Sequence, residues 1–264
     1  MLELTSLYLY PLKSAAALAC DALEIEPRGA AHDRRWMLVD AQGKFVTGRQ
    51  IGALVRLRAV PDGDGLQLDY DGAQFTVAPP AADAPRIDVT IWKSTTSAVL
   101  AAAPAQVFVQ QLFGPGVRLV YMDAASRRPV DPAYSRPGDE VSFADGYPLL
   151  LLSRASLADL SARVGESLDV RRFRPNLVVD GCPAYAEDEW RQVRLGGIDF
   201  DVAKPCTRCV FTTVDPDSGE RHAAGEPLAT LKAYRQVANG VRFGVNLIPR
   251  SYGTLRRGAT GQAG

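Results

Sequence analysis

The chain has 264 residues, of which 47% are hydrophobic, and its 30 basic residues balance 30 acidic ones. This length supports a large core in one or two domains, and the charge balance argues against a nucleic-acid or acidic-membrane partner. The chain has four cysteines, no leader-like start and no apolar run of about 18 residues, which indicates a cytoplasmic protein with neither a disulfide framework nor a transmembrane helix.

Short strands dominate the prediction for the first 100 residues. Ala41-Gln42-Gly43 and Asp71-Gly72 each separate two β-forming segments, which predicts two β-hairpins. Strands at this spacing are typical of a barrel or a sandwich rather than of βαβ units. The predicted strands are residues 2–10, 22–26, 35–40, 44–47, 66–70 and 74–78.

The middle of the chain predicts a helix, a strand and a long connection. A short helix is predicted over residues 105–113, ending at Gly114, and a strand over residues 117–122. Residues 123–147 are rich in Pro, Asp, Arg and Gly. They predict a connection between two halves that also lies over a site.

Two helices are predicted in the rest of the chain. Ser153 is a good N-cap for a helix over residues 154–164, and Pro227 opens a helix over residues 228–237. The other predicted elements are a strand at 176–180, a hairpin at 193–202, a strand at 241–248 and a frayed tail of small and polar residues at 258–264.

A Cys-x-x-Cys motif carries most of the chemical information. Cys206 and Cys209 enclose Thr207-Arg208 and are followed by residues 210–214, which predict a strand. Thiolates bind soft or high-valent metals, and an adjacent guanidinium lowers a thiol pKa and can grip a phosphate. A metal cofactor that carries its own phosphate needs both groups in one place.

Three other interpretations of the thiol pair compete with a cofactor site. A structural zinc needs four ligands, for which Cys20, Cys182, His32 and His222 are the other candidates. A thioredoxin-like redox pair belongs at a strand-to-helix turn, whereas a strand is predicted after Cys209. Two buried structural cysteines are the third interpretation.

The segment KPCTRCVFTTVDPDSGE at 204–220 resembles the signature of the MOSC family, and the branch it resembles includes the mitochondrial amidoxime-reducing component and its bacterial relatives. The likeness runs in order along essentially the whole chain. Other segments that carry it are YPLKS at 10–14, DRRW at 33–36, VTGRQ at 46–50, FRPN at 173–176, YAEDEW at 185–190, EPL at 226–228 and FGVN at 243–246.

The resemblance implies a mainly β fold with a few helices. Residues 1–120 would be an N-terminal β-barrel-like domain, and residues 121–264 a MOSC β-barrel. It also implies a molybdenum cofactor, Mo-molybdopterin with or without a nucleotide extension, and no pyridoxal phosphate. In this family one cysteine of the pair binds the metal. The position in the motif favours Cys209, which is also the implied catalytic residue. Cys206 is the alternative, because the spacing of the two cysteines does not distinguish between them.

Several polar residues inside the family motifs are implied to hold the cofactor. Arginine suits this role because its fork binds phosphate or pterin oxygens with two hydrogen bonds. Asp215 is either a catalytic proton relay or the first residue of an Asp-Pro-Asp-Ser-Gly turn. The implied cofactor-binding residues are Lys13, Ser14, Arg34, Arg174, Thr207, Arg208 and Asn246.

The implied activity is the reduction of small N-hydroxylated compounds, namely amidoximes, hydroxylamines and N-hydroxylated bases. The chain has no Gly-x-Gly-x-x-Gly loop between a strand and a helix and no C-x₄-C-x₂-C run, so electrons are expected from a separate protein of the ferredoxin, flavodoxin or cytochrome type. The alternative is a non-catalytic carrier or binding module for the molybdenum cofactor or sulfur. The C-terminal residues lack the final apolar strand of relatives, so an edge strand is expected to be absent or the barrel to close differently.

Overall fold

A computed structural model describes residues 1–264 and contains nineteen strands, three α-helices and five short 3₁₀-helices. The predicted fold class, mainly β with a few helices, is confirmed. The strands are β1 (Leu2–Leu9), β2 (Leu18–Cys20), β3 (Ala22–Glu26), β4 (Gly29–Ala30), β5 (Trp36–Val39), β6 (Arg58–Asp62), β7 (Gly65–Tyr70), β8 (Ala73–Val77), β9 (Arg86–Ile91), β10 (Ser94–Leu100), β11 (Arg118–Tyr121), β12 (Leu149–Ser153), β13 (Leu177–Asp180), β14 (Gln192–Leu195), β15 (Ile198–Arg208), β16 (Gln236–Val237), β17 (Gly240–Pro249), β18 (Gly253–Arg256) and β19 (Thr260–Ala263). The α-helices are α1 (Ala103–Phe113), α2 (Arg154–Val164) and α3 (Leu228–Arg235), and the 3₁₀-helices are Gly52–Arg56, Pro132–Tyr134, Val170–Phe173, Ala186–Glu189 and Val210–Thr213.

Seven strands close into a barrel. Their order is β12-β13-β1-β19-β14-β15-β17, and the ring is completed because β17 pairs back with β12. Every pair is antiparallel except β12 with β13. Closure leaves no free edge, and a cluster of 18 buried residues, most of them Leu and Val, joins this barrel to the sheet formed by β18, β3 and β4.

The C-terminal segment is part of this barrel, so the prediction that residues 258–264 are frayed is wrong. β19 pairs with β1 through Leu2 and Gly261, and with β14 through Val193 and Ala263. A strand with partners on both sides satisfies its backbone groups without large side chains. The small residues are an advantage here, because a Cβ on Gly261 would lie 2.0 Å from the carbonyl oxygen of Arg194.

A second body of sheets packs beside the barrel. The four-stranded sheet β5-β11-β10-β9 and the meander β6-β7-β8 share a core of 17 buried residues with α1. The β7–β8 hairpin predicted at Asp71-Gly72 is confirmed, and both turn residues have positive φ. The hairpin predicted across residues 35–47 is also present, because Val39 pairs antiparallel with Phe45 and the Val46 N–H donates to the Leu38 carbonyl at 2.8 Å. β5 also pairs with β11, and the backbone N–H of Phe45 donates to the Thr90 carbonyl.

Strands from before residue 120, the predicted domain boundary, pair with strands from after it. β1 belongs to the barrel with the later strands, and β18 pairs with β3. The division at residue 120 therefore stays a prediction. Within the connection at 123–147, the Arg128 guanidinium donates to the carbonyls of Ser142, Ala144 and Asp145, which fixes the loop that reaches the site.

The three α-helices are short, and only α2 has a side-chain N-cap. Ser153 caps α2 by accepting a hydrogen bond from the Ser156 N–H at 3.1 Å, and Gly165 ends it with φ at 86°, which confirms that helix. α3 stops at Arg235, before the predicted end at 237, because Gln236 and Val237 pair with β17. None of the helices has the length and hydropathy needed to cross a membrane.

Candidate functional site

A cavity opens between the barrel and the second body of sheets. Its volume is about 130 Å³. It brings together nine residues that the sequence analysis selected from distant segments: Lys13, Ser14, Arg34, Arg174, Cys206, Thr207, Arg208, Cys209 and Asn246. The loop predicted to cover a site contributes residues 144–147 to the lining.

Two of the predicted arginines are held together by an aromatic ring. The guanidinium carbons of Arg34 and Arg174 each lie 4.2 Å from the centre of the buried Tyr10 ring. Arg34 pairs with the Asp33 carboxylate at 2.5 Å and donates to the Asn176 side-chain oxygen at 3.0 Å. Burial raises the pKa of Tyr10. Tyr10, Asp33 and Asn176 lie within the recognised motifs, yet sequence reasoning gave them no role.

The backbone at the site is unusual. Ser14, Arg34 and Arg174 adopt positive φ angles of 68°, 48° and 55°. Residues with a Cβ avoid this left-handed region, at a cost on the order of 1 kcal/mol each, and such positions cluster at functional sites. Three of them around one cavity indicate that the fold maintains this arrangement for a purpose other than stability.

Two guanidinium groups in the cavity keep a nitrogen without a hydrogen-bond partner. Arg174 donates through Nη1 to the Ala15 carbonyl, and Arg208 donates through Nε and Nη1 to the carbonyls of Phe243 and Phe173. The Nη2 atom of each is buried and unpaired. Burial lowers the pKa of Arg174 to about 10, so the group stays charged at neutral pH. Unpaired buried donors of this kind point to an anionic ligand.

Lys13 is buried in the same cavity. Its ammonium donates to the Phe143 carbonyl at 2.8 Å and to the exposed Asp145 carboxylate at 2.6 Å. Burial lowers the pKa of Lys13 to about 8, with Asp145 opposing that effect. The loop at 143–145 therefore orients this cation, although part of its charge is already balanced.

The two thiols differ in their surroundings. Cys206 lies within β15 and lines the cavity, and burial raises its pKa, with Arg208 opposing the effect. Cys209 follows the strand, and its Sγ lies 4.0 Å from Arg49 Nη1. Cys209 lines both the cavity and a wider basin outside it, so it stands at their junction. Arg49 lies in the VTGRQ motif at 46–50, where its residue type alone predicted no role.

The strand predicted for residues 210–214 is wrong, because Val210–Thr213 is a 3₁₀-helix. The hydroxyls of Thr212 and Thr213 donate to the carbonyls of Cys209 and Val210, which favours the helical turn. The argument from a following strand against a thioredoxin-like pair therefore no longer holds. The zinc arrangement is not assembled, since nowhere do three or more His, Cys, Asp or Glu side chains come together to hold a metal.

Asp215 is the one predicted site residue that does not line the cavity. Its carboxylate accepts hydrogen bonds from the backbone N–H groups of Asp217 and Ser218, as the turn interpretation required. It also pairs at 2.8 Å with Arg172, whose side chain does line the cavity. Asn246 lines the cavity and donates weakly to the Lys204 carbonyl at 3.4 Å.

Comparison with known proteins covers nearly the whole chain. The family model of the MOSC N-terminal beta barrel domain matches residues 1–115, and that of the MOSC domain matches residues 138–260. The chain is 33% identical to mitochondrial amidoxime-reducing component 1 of Homo sapiens, over 96% of this chain and 80% of the relative. It is 33% identical to component 1 of Mus musculus (87% and 70%) and 34% identical to component 2 of Bos taurus (88% and 71%).

Proposed function

Because the chain belongs to the MOSC family, with the N-terminal barrel domain and the MOSC domain in one polypeptide, we propose that it is a molybdenum-cofactor-dependent reductase of N-hydroxylated compounds. The observation that carries this proposal is the cavity at Cys209, where the buried Nη2 atoms of Arg174 and Arg208 have no protein partner. Relatives named amidoxime-reducing components support the reaction class.

The residues of the cavity fit a cofactor that carries both a phosphate and a soft metal. The free N–H groups of Arg174 and Arg208 suit phosphate oxygens, and Lys13 adds a third cation. A thiolate suits the metal. We assign it to Cys209 rather than to Cys206, because Cys209 alone of the two also borders the open basin through which a substrate can enter.

The cofactor, when bound, would supply the two-electron chemistry that cleaves the N–O bond. The chain's own groups hold and shield it. Arg49 places a cation 4.0 Å from the Cys209 sulfur. Ser14, Thr207 and Asn246 would add hydroxyl, backbone or amide contacts. Asp215 would act through Arg172, which it orients, rather than on the substrate itself.

The finer parts of the proposal are the substrates, the electron donor and the location. Amidoximes, hydroxylamines and N-hydroxylated bases are the proposed substrates, and a separate ferredoxin, flavodoxin or cytochrome is the proposed donor. The relatives are named as mitochondrial. All four cysteines of this chain are free, which fits a reducing compartment, and we propose the cytoplasm.

The test is metal analysis followed by turnover. Protein purified with its cofactor should contain molybdenum near one atom per chain, and it should reduce benzamidoxime to benzamidine when dithionite-reduced methyl viologen supplies electrons. Full molybdenum content without turnover of any N-hydroxylated compound would contradict the reductase and favour a carrier of the cofactor or of sulfur. Protein that takes up no molybdenum would contradict the reductase and the cofactor carrier and leave only a sulfur carrier.

A further inference from the structure

The basin outside Cys209 is strongly positive. Five cations line it, none of which forms an ion pair with a carboxylate: Lys44, Arg49, Lys93, Arg128 and Lys204. Its only acidic side chains are Asp131 and Asp145, and Asp145 already pairs with Lys13 from the cavity side. Five cations and two carboxylates leave an excess of three positive charges here, in a chain whose charges balance.

Exposed aromatic rings stand among these cations. Trp92 is 52% exposed in the turn between β9 and β10, and its φ of 57° is a strained value for a bulky residue. The Arg49 guanidinium carbon lies 4.2 Å from the centre of the Trp92 ring. Tyr134 is 44% exposed and holds the Lys204 ammonium 4.4 Å from its ring centre. Trp, Tyr and Arg are the residue types that dominate binding energy at protein interfaces.

We propose that this basic basin is the docking surface for an acidic electron-transfer protein. The inference rests on the proposed function. Reduction of one N–O bond consumes two electrons and two protons and releases one water, so a one-electron donor must deliver twice close to the cavity. The basin is the open surface that Cys209 borders. Complementary charge would steer the donor to it and make the complex fast, weak and sensitive to salt.

The position and shape of the surface favour a protein over a membrane. Its cations line a depression that Cys209 also lines, whereas a bilayer presents a nearly flat face that does not enter a depression. The aromatic side chains lie beside the depression, at the turn of a hairpin and on the Pro132–Tyr134 3₁₀-helix. A convex acidic face that carries a redox centre matches both the charge and the shape.

The test is direct binding, which needs no turnover. Oxidised plant-type ferredoxin and flavodoxin, both acidic, are titrated by calorimetry into the cofactor-loaded protein at low and high ionic strength. The Lys44→Glu/Lys93→Glu double variant reverses two exposed charges outside the cavity. The matched control is Lys232→Glu, which changes an exposed lysine of α3. We expect the double variant and high salt each to weaken binding at least tenfold, and the control to bind as the wild type does.

Turnover assays then distinguish a failure of the docking proposal from a failure of the proposed reductase function. Benzamidoxime reduction with methyl viologen should be equal in the wild type and the double variant, whereas the KM for the acidic donor should rise at least tenfold in the variant. Wild-type affinity in the double variant, or no binding of either acidic protein, would overturn the docking surface. So would charge-dependent binding to phosphatidylserine vesicles alone. Donor binding without any turnover would contradict the reductase and uphold the docking surface.

Discussion

At the scale of single residues, the arginines of the site differ in whether the protein itself satisfies their hydrogen-bond donors. Arg34 is satisfied by Asp33 and Asn176, whereas Arg174 and Arg208 each keep a buried nitrogen unpaired. All three came from family motifs, and sequence alone gave them the same role. The difference lies in partners that only the folded chain brings to them.

Cys209→Ser should abolish molybdenum retention and leave the fold intact, because a hydroxyl replaces the thiolate at the junction of cavity and basin. Cys206→Ser should have the milder effect. The measurement is molybdenum content per chain together with the thermal unfolding midpoint. Loss of metal in the Cys206 variant with retention in the Cys209 variant would reverse the ligand assignment, and retention in both would rule out the site.

Arg174→Ala and Arg208→Ala should each weaken cofactor binding about ten- to a hundredfold, since a hydrogen bond to a charged group contributes roughly 1.5–3 kcal/mol. Competition of apoprotein variants for released cofactor measures this affinity. Arg191→Ala, a change at an exposed arginine outside the cavity, is the control. Equal losses in all three variants would mean that general charge, not the cavity, holds the cofactor.

Arg34→Ala should act mainly on stability. It leaves the Asp33 carboxylate, which is 1% exposed, without its ionic partner, and breaking a buried pair from one side costs about 3–5 kcal/mol. Urea unfolding of the apoprotein gives the free energy of unfolding. A variant as stable as the wild type, with lost cofactor affinity only, would show that Arg34 belongs with the ligand-binding arginines.

Cofactor affinity should fall as the pH rises through about 8, the lowered pKa of Lys13. Below that pH the Lys13 ammonium balances the negative charge of Asp145. Above it the Asp145 carboxylate is uncompensated and repels the anionic cofactor. Between about 8 and the unfolded value near 10.4 the unfolded chain binds more protons, so Lys13 should make the free energy of unfolding rise with pH. Lys13→Gln should remove both dependences, and unchanged profiles in that variant would assign them to another group.

At the scale of elements, local signals predicted what local forces decide. Asp71-Gly72 supplied the backbone conformation of a tight hairpin, and Ser153 with Gly165 bounded α2. A segment whose structure depends on distant partners was predicted wrongly. The C-terminal residues form a strand because β1 and β14 flank them. Neither partner is visible in the composition of the segment itself.

Gly261→Val should open the barrel, because the new Cβ would meet the Arg194 carbonyl oxygen at 2.0 Å and force β19 away from β14. Overpacking of this kind costs about 1–3 kcal/mol or more. Gly264→Ala is the matched control, since a Cβ at that position meets no atom within 4 Å. Equal midpoints of urea unfolding in the two variants would show that β19 contributes nothing to closure.

At the scale of the whole molecule, the site is assembled from both ends of the sequence. Motif recognition found nine of its lining residues, from Lys13 to Asn246. It did not assign roles to Arg49 or Arg172, whose importance comes from contacts with Cys209 and Asp215 across the fold. Spacing within one motif carries no information about such contacts.

The loaded protein should not accept electrons directly from NADH or NADPH, because the sequence offers no Gly-x-Gly-x-x-Gly loop between a strand and a helix to bind the dinucleotide. Benzamidoxime reduction is measured with NADH alone, and then with NADH, a reductase and a ferredoxin. We expect turnover in the second assay only. Rapid turnover with NADH alone would refute the need for a separate donor.

The pairing of β1 with β13 and β19 has a consequence for synthesis. Residues 2–9 leave the ribosome early, but their partners at 177–180 and 260–263 follow much later. Until then the apolar side chains of Leu2, Leu4 and Leu7 lack the core that buries them, so the unfinished chain exposes this apolar surface. Capture of the proposed cofactor, which would need both Lys13 and Cys209 in place, would then be a post-translational event.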